Sequence, residues 1–221
     1  MDIFKPYKFI PKDEIEREAT KLRMSVEEER KSRLIPKYLT DAIADFLDIK
    51  ITWQSIPDDG KGKIAAMIFP FLKEIVINED IRKLELKEEQ KDGFIQSTIA
   101  HEIGHWMLHI NRDVVGEYEY IERFNEEFKQ IVEPFLCRGI VSNLGKIEWQ
   151  AQYFAGCLLM PKYKLEEARK GRDLTKWGHL YAIADEFGVT ISNLTNRLQD
   201  LGWIYIPKDS KQIYRGKAAP N

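Results

Sequence analysis

A buried helix is imposed on this chain by one short stretch, Ala100-His101-Glu102-Ile103-Gly104-His105-Trp106-Met107-Leu108-His109, which holds three of its four histidines. A spacing of four residues sets His101 and His105 one turn apart on a single helical face, where both imidazoles reach one cation. Glu102 sits beside them but rotated, placed to meet a water at the metal and not the metal itself. Phe94, Ile95, Ile99, Ile103, Trp106, Met107 and Ile110 wrap the stretch in apolar surface, so the helix belongs inside the fold. Two histidines and a glutamate are costly to bury unless something satisfies them. A metal ion does so directly; the competing reading is a set of hydrogen-bonded packing histidines. Zinc in such a site brings a water's pKa towards neutrality, and the glutamate accepts the proton as a carbonyl is attacked.

A hydrolytic zinc site needs a third protein ligand and an open fourth position. The best candidate lies in Ile147-Glu148-Trp149-Gln150-Ala151-Gln152-Tyr153-Phe154-Ala155-Gly156-Cys157-Leu158-Leu159-Met160-Pro161. Ala151, Phe154, Ala155, Leu158 and Leu159 recur at helical spacing, and Pro161 closes the run. Glu148 stands one turn before Ala151 and Gln152 on a helix otherwise short of charge. It is read as a ligand, against the alternative of a solvated first-turn glutamate favoured by the helix dipole.

Taken together, His-Glu-Ile-Gly-His-x-x-Leu-His and Glu-x-Gln-Ala-x-x-Phe-Ala-x-x-Leu-Leu-Met-Pro resemble the ImmA/IrrE family of zinc metallopeptidases. The two segments cover about a tenth of the chain. The resemblance implies His101, His105 and Glu148 as metal ligands and Glu102 as general base. His109 matches a histidine often found after the motif, and it is expected, with Gln152, to support the ligands from outside. Gln152 departs from the family, which usually has Asn or another short polar residue there. Mn2+ or Fe2+ would suit the same ligands as Zn2+.

The expected fold is α+β: a helix-rich, zincin-like metallopeptidase core with a small sheet of about three strands and a helical C-terminal subdomain. A charged helix from Lys12 to about Arg33 carries Ile15, Ala19, Leu22 and Val26 as a narrow apolar stripe. Ala42, Ile43, Phe46 and Leu47 mark a second helix. Strands are read at Ile49–Trp53, Ile64–Phe69 and Glu74–Asn78. The last resembles the family's strand beside the cleft, so Ile77 and Asn78 are candidates for pairing an extended peptide along an exposed edge. The alternative is an ordinary sheet strand. Residues 1–161 are taken as the metallopeptidase-like domain, 162–207 as the subdomain and 208–221 as a flexible tail.

Between His105 and Glu148 lie 42 residues, more than a simple connection needs. An acidic amphipathic helix is read from Tyr120 to Ile131, then a break at Pro134 and a loop over Gly139–Gly145. It either packs its apolar side on the fold with its acidic face solvated, or covers the cleft or binds a partner's basic surface. Tyr118 and Tyr120 are candidates to stabilise an oxyanion.

After Pro161, Trp177, Leu180, Ala184 and Phe187 form a stripe ended by Gly188, and Thr190 caps a helix bearing Ile191, Leu194, Leu198 and Leu201. A final strand is read at Trp203–Ile206, and His179 as a surface or capping residue. Helix, turn, helix, strand invites a DNA-binding reading through Asn193, Asn196 and Arg197, but the helix is not basic. Net charge −2 across 221 residues with 32% charged gives no global field for nucleic acid. No apolar run approaches a membrane span, no signal-peptide pattern opens the chain, and two cysteines make no disulfide framework. The expectation is a cytoplasmic zinc endopeptidase acting on a separately encoded helix-turn-helix repressor, to control stress-response or mobile-element genes. The alternatives are a non-catalytic, metal-containing regulatory or toxin–antitoxin-type binding protein and a DNA-binding regulator.

Overall fold

The fold is drawn from a computed structural model that describes residues 3–58, 63–122, 135–138 and 145–218, with the side chains of 118–122 and 135–138 outside the description. Helix α1 (Lys12–Arg30) starts after Pro11, with Asp13 and Glu14 in its first turn, where carboxylates favour the helix dipole. It ends three residues earlier than the sequence reading, at Lys31 in a left-handed conformation. The stripe Ile15, Ala19, Leu22 and Val26 is buried and packs on α5 (Gly145–Leu159).

Helix α2 (Leu39–Phe46) leads to β1 (Lys50–Gln54), β2 (Ile64–Phe69) and β3 (Glu74–Asn78). A fourth strand, β4 (Phe135–Arg138), joins them in the order β1-β3-β2-β4, with β1 parallel to β3 and the other pairs antiparallel. The three strands read from sequence are present, whereas β4 was read as part of the connection between the ligands. That order corrects the edge assignment. β3 is interior, with Ile77 opposite Trp53 on one side and Ala66 on the other. Asn78 turns inward and its side-chain amide donates to the Ile56 and Ile64 carbonyls at 3.2 and 2.8 Å. Ile77 is thus paired on both sides, and Asn78 is paired with Gln54 of β1.

Helix α3 (Glu88–Leu108) crosses the sheet against β2 and β3 and packs along α5. Helix α4 (Arg112–Glu122) follows, beginning eight residues before the expected Tyr120 start. The rest of that expected helix, residues 123–131, the expected break at Pro134 and most of the expected glycine loop, 139–144, lie outside the described residues.

Beyond α6 (Lys162–Ala168), α7 (Trp177–Phe187) ends at Gly188, whose φ of 62° is the left-handed geometry that glycine adopts freely. Thr190 caps α8 (Ile191–Asp200), its hydroxyl accepting from the Asn193 amide. One cluster of buried side chains runs from Ile15 through Ile103 and Phe154 to Leu194 and Ile213, so these helices share the main core. The segment read as a loose tail is held over much of its length. Strand β6 (Tyr214–Arg215) pairs with β5 (Ile204–Tyr205), Ile213 is buried, and the Trp177 indole donates to the Lys211 carbonyl. β5 lies within the strand read at Trp203–Ile206, whereas the two residues of β6 carry too little periodicity to be read in sequence.

Two buried arginines finish α5. Arg23 donates to the Leu158 carbonyl at 3.0 Å and Arg197 to that of Met160 at 3.1 Å, which satisfies carbonyls that a helix end leaves open. Arg197 is also ion-paired with Glu16. It is therefore turned into the protein, and Asn193 binds Ser97 on α3, so two of the three proposed DNA-facing residues are already engaged within the fold.

Candidate metal centre

Helical spacing places His101 and His105 on the face of α3 that meets α5, and the first turn of α5 brings Glu148 opposite them. The His101 and His105 Nε2 atoms are 2.9 Å apart. Glu148 Oε2 lies 3.1 Å from His101 Nε2, and its Oε1 lies 3.4 Å from His105 Nε2. A tetrahedral zinc with ligands at about 2.0–2.1 Å holds neighbouring ligand atoms about 3.3 Å apart. The three separations fall around that value, so this donor set fits such an ion. His101, His105 and Glu148 form the group of side chains able to hold a metal among the described residues.

Close approach of the helices rests on Gly104. A Cβ there would stand 2.8 Å from the Ala151 carbonyl oxygen and 3.0 Å from Ala151 Cα. Any side chain at position 104 would meet the backbone of α5, and Glu148 would be held away from both rings.

Charge is distributed accordingly. Burial alone would lower the His101 pKa, but its hydrogen bond to Glu148 and the nearby charges of Glu102 and Glu148 outweigh it, and the net direction is up. Burial dominates at His105 and takes it down to about 3. Burial alone would raise Glu148, but the hydrogen bond from His101 and the neighbouring His105 ring bring it down to about 2. Glu102, next to His101 on α3, is fully buried.

The supporting residues fall into two groups. Gln152 Oε1 is 3.2 Å from His101 Nδ1, and His109 Nδ1 is 3.1 Å from His105 Nδ1. Gln150, passed over in the sequence reading, has its Oε1 3.0 Å from His109 Nε2. Its signal was present but weak: a buried amide on an apolar helix, half a turn from Glu148. His179 is remote from the cluster, its Nδ1 accepting from the Asp173 amide. Ile77 and Asn78 are held in the sheet as described. Tyr118 and Tyr120 lie in α4, and their side chains are outside the described residues. A cavity of about 470 Å³ opens between α3, α5 and α8, walled by Ser97, Trp149, Gln152, Asn193 and Arg197. Among the described residues no helix is long and apolar enough to cross a membrane.

Comparison with known proteins adds the following. No curated protein matches the chain. A solved structure of a Mycobacterium tuberculosis transcriptional regulator is similar at 17% identity and a TM-score of 0.44. The similarity covers 86% of this chain and 52% of that one, so the chain spans about half the length of that protein. Residues 142–199 match the model of the Peptidase_M78 family, the IrrE N-terminal-like domain. That segment contains Glu148 and its helix, while His101 and His105 stand before it. Over residues 142–199 the resemblance to the ImmA/IrrE family of metallopeptidases is thus met by the family's own model.

Proposed function

We propose that the chain is a zinc-dependent endopeptidase whose ligands are His101, His105 and Glu148 and whose general base is Glu102. The observation that carries this reading is the convergence of two imidazole nitrogens and a carboxylate within 3.4 Å of one another across two buried helices. When bound, the ion acidifies a water and polarises the scissile carbonyl. Glu102 takes the water's proton and later delivers it to the leaving amine. His101 and His105 hold the ion in place, and Glu148 adds a negative charge that strengthens its retention. Mn2+ or Fe2+ would serve the same donors. The family resemblance extends the proposal to the substrate, a helix-turn-helix repressor encoded separately and cleaved in the cytoplasm to release stress-response or mobile-element genes.

Metal content tests the site. Wild type and Glu102→Gln are expected to carry near-stoichiometric zinc and Glu148→Ala to lose it. Wild type is expected to cleave a helix-turn-helix repressor of its source organism, and Glu102→Gln to bind it without cleavage. Cleavage that persists in Glu102→Gln would remove the general base from the proposal. A wild type that takes up no zinc on reconstitution would remove the metal.

A further inference from the structure

The two ring nitrogens of a metal-binding histidine are not equivalent, and here the chain itself decides which one His105 offers. The deciding group is the Lys8 carbonyl. Gln150 Nε2 donates to it at 3.0 Å, a contact that only the nitrogen side of the amide makes. Gln150 Oε1 is thereby turned to His109 Nε2, 3.0 Å away. An amide oxygen only accepts, so His109 carries a proton on Nε2. In the neutral ring His109 Nδ1 is then an acceptor, and it faces His105 Nδ1 at 3.1 Å. His105 must hold its proton on Nδ1, and its Nε2 lone pair points to His101 and Glu148.

We propose that the Lys8 carbonyl, Gln150 and His109 form a positioning relay that locks His105 in the Nδ1–H tautomer, making the N-terminal segment part of the metal site. The inference rests on the metal-centre reading above. It adds two positioning residues and a backbone group more than 90 positions away in sequence from the histidine they orient. The N-terminal segment is anchored where such a role needs it, at the end of α3. Lys5 N–H donates to the His109 carbonyl at 2.8 Å, Asn111 N–H donates to the Ile3 carbonyl at 2.9 Å, and Phe4 pairs with Ile110. His109 is therefore held by backbone on one side and by Gln150 on the other. Outer partners of this kind usually fix tautomer and ring angle, and their loss commonly weakens metal binding by about 10- to 100-fold.

Two measurements decide it. Nitrogen-15 NMR of the metal-free protein labelled at histidine is expected to show His105 protonated at Nδ1 and His109 at Nε2. The reversed pair, or a doubly protonated His109, would overturn the relay. Zinc affinity by chelator competition supplies the second test. Gln150→Leu is expected to weaken binding about tenfold in the wild-type background and to add nothing in a His109→Phe background. Equal losses in both backgrounds, or no loss in either, would show that the residues act separately or only as packing. Denaturant midpoints of the metal-free variants separate a folding defect from a site defect. A wild type that binds no zinc would defeat the metal-centre reading, and the NMR result would still decide the tautomers.

Discussion

Gly104→Ala measures how much of the site depends on the spacing of α3 and α5. The new methyl carbon would lie 2.8 Å from the Ala151 oxygen and 3.0 Å from its Cα, where ordinary contact begins at 3.4 Å. Both clashes are with backbone, so no side chain swings away to relieve them. The helices must part by roughly 0.5 Å to restore a favourable separation. Over-packing of this kind costs about 1–3 kcal/mol, and replacing a helix-interior glycine with alanine returns about 1 kcal/mol. The metal-free protein should therefore lose up to about 2 kcal/mol in a denaturant titration. Zinc affinity should fall further than stability does. Glu148 sits on the helix that is displaced, and a shift of about 0.5 Å is at the tolerance of a preorganised site. A loss of tenfold or more is expected by chelator competition. A variant about 1 kcal/mol more stable than wild type, binding zinc as tightly, would mean that the helices are not in backbone contact there and that the argument is wrong.

Other outcomes follow from the same structure. Glu16→Ala leaves the buried Arg197 guanidinium without its ion-pair partner and is expected to cost on the order of 3 kcal/mol, read by chemical denaturation; a cost under ~1 kcal/mol would show that the pair contributes little. The Cys157 thiol is pushed up by burial and held at 3.3 Å to Glu16, so mass-mapped alkylation of the folded protein should spare it until denaturant is added. The metal-free protein should lose stability as pH falls below 6.5. Burial keeps His105 at about 3, and the hydrogen bond from His101 with the His105 ring beside it holds Glu148 at about 2 despite burial; the unfolded chain therefore binds a proton at each site that the folded one refuses. The slope is up to about 1.4 kcal/mol per pH unit for each proton, beginning below 6.5 for His105 and below about 4.5 for Glu148. His101, shifted upward, adds stability below 6.5 that disappears as pH rises through its folded value. Together these groups place the optimum near 6.5, and a flat denaturation midpoint between pH 5 and 8 would contradict the buried cluster.

The amino-acid sequence by itself determined what repeats along the chain. Periods of three and four residues marked α1, α3, α5 and the stripe of α7, because a helix writes its buried face into local spacing. Alternation and turn residues marked the three strands, and Gly188 and Thr190 marked the boundary between α7 and α8. The ligand candidates were legible for the same reason: His101 and His105 are one helical turn apart, and Glu148 is an isolated charge on an apolar helix. Tertiary structure decided everything that depends on which elements become neighbours. Strand order is such a property, and it moved Ile77 and Asn78 from a supposed edge to the middle of the sheet. The orientation of Arg197 is another, since its partner Glu16 lies 181 residues away. Gly104 reads as an ordinary helix glycine until Ala151 is placed against it. The path from Lys8 through Gln150 and His109 to His105 joins three distant stretches by hydrogen bonds. Such bonds follow donor and acceptor positions in space, and no local pattern encodes them.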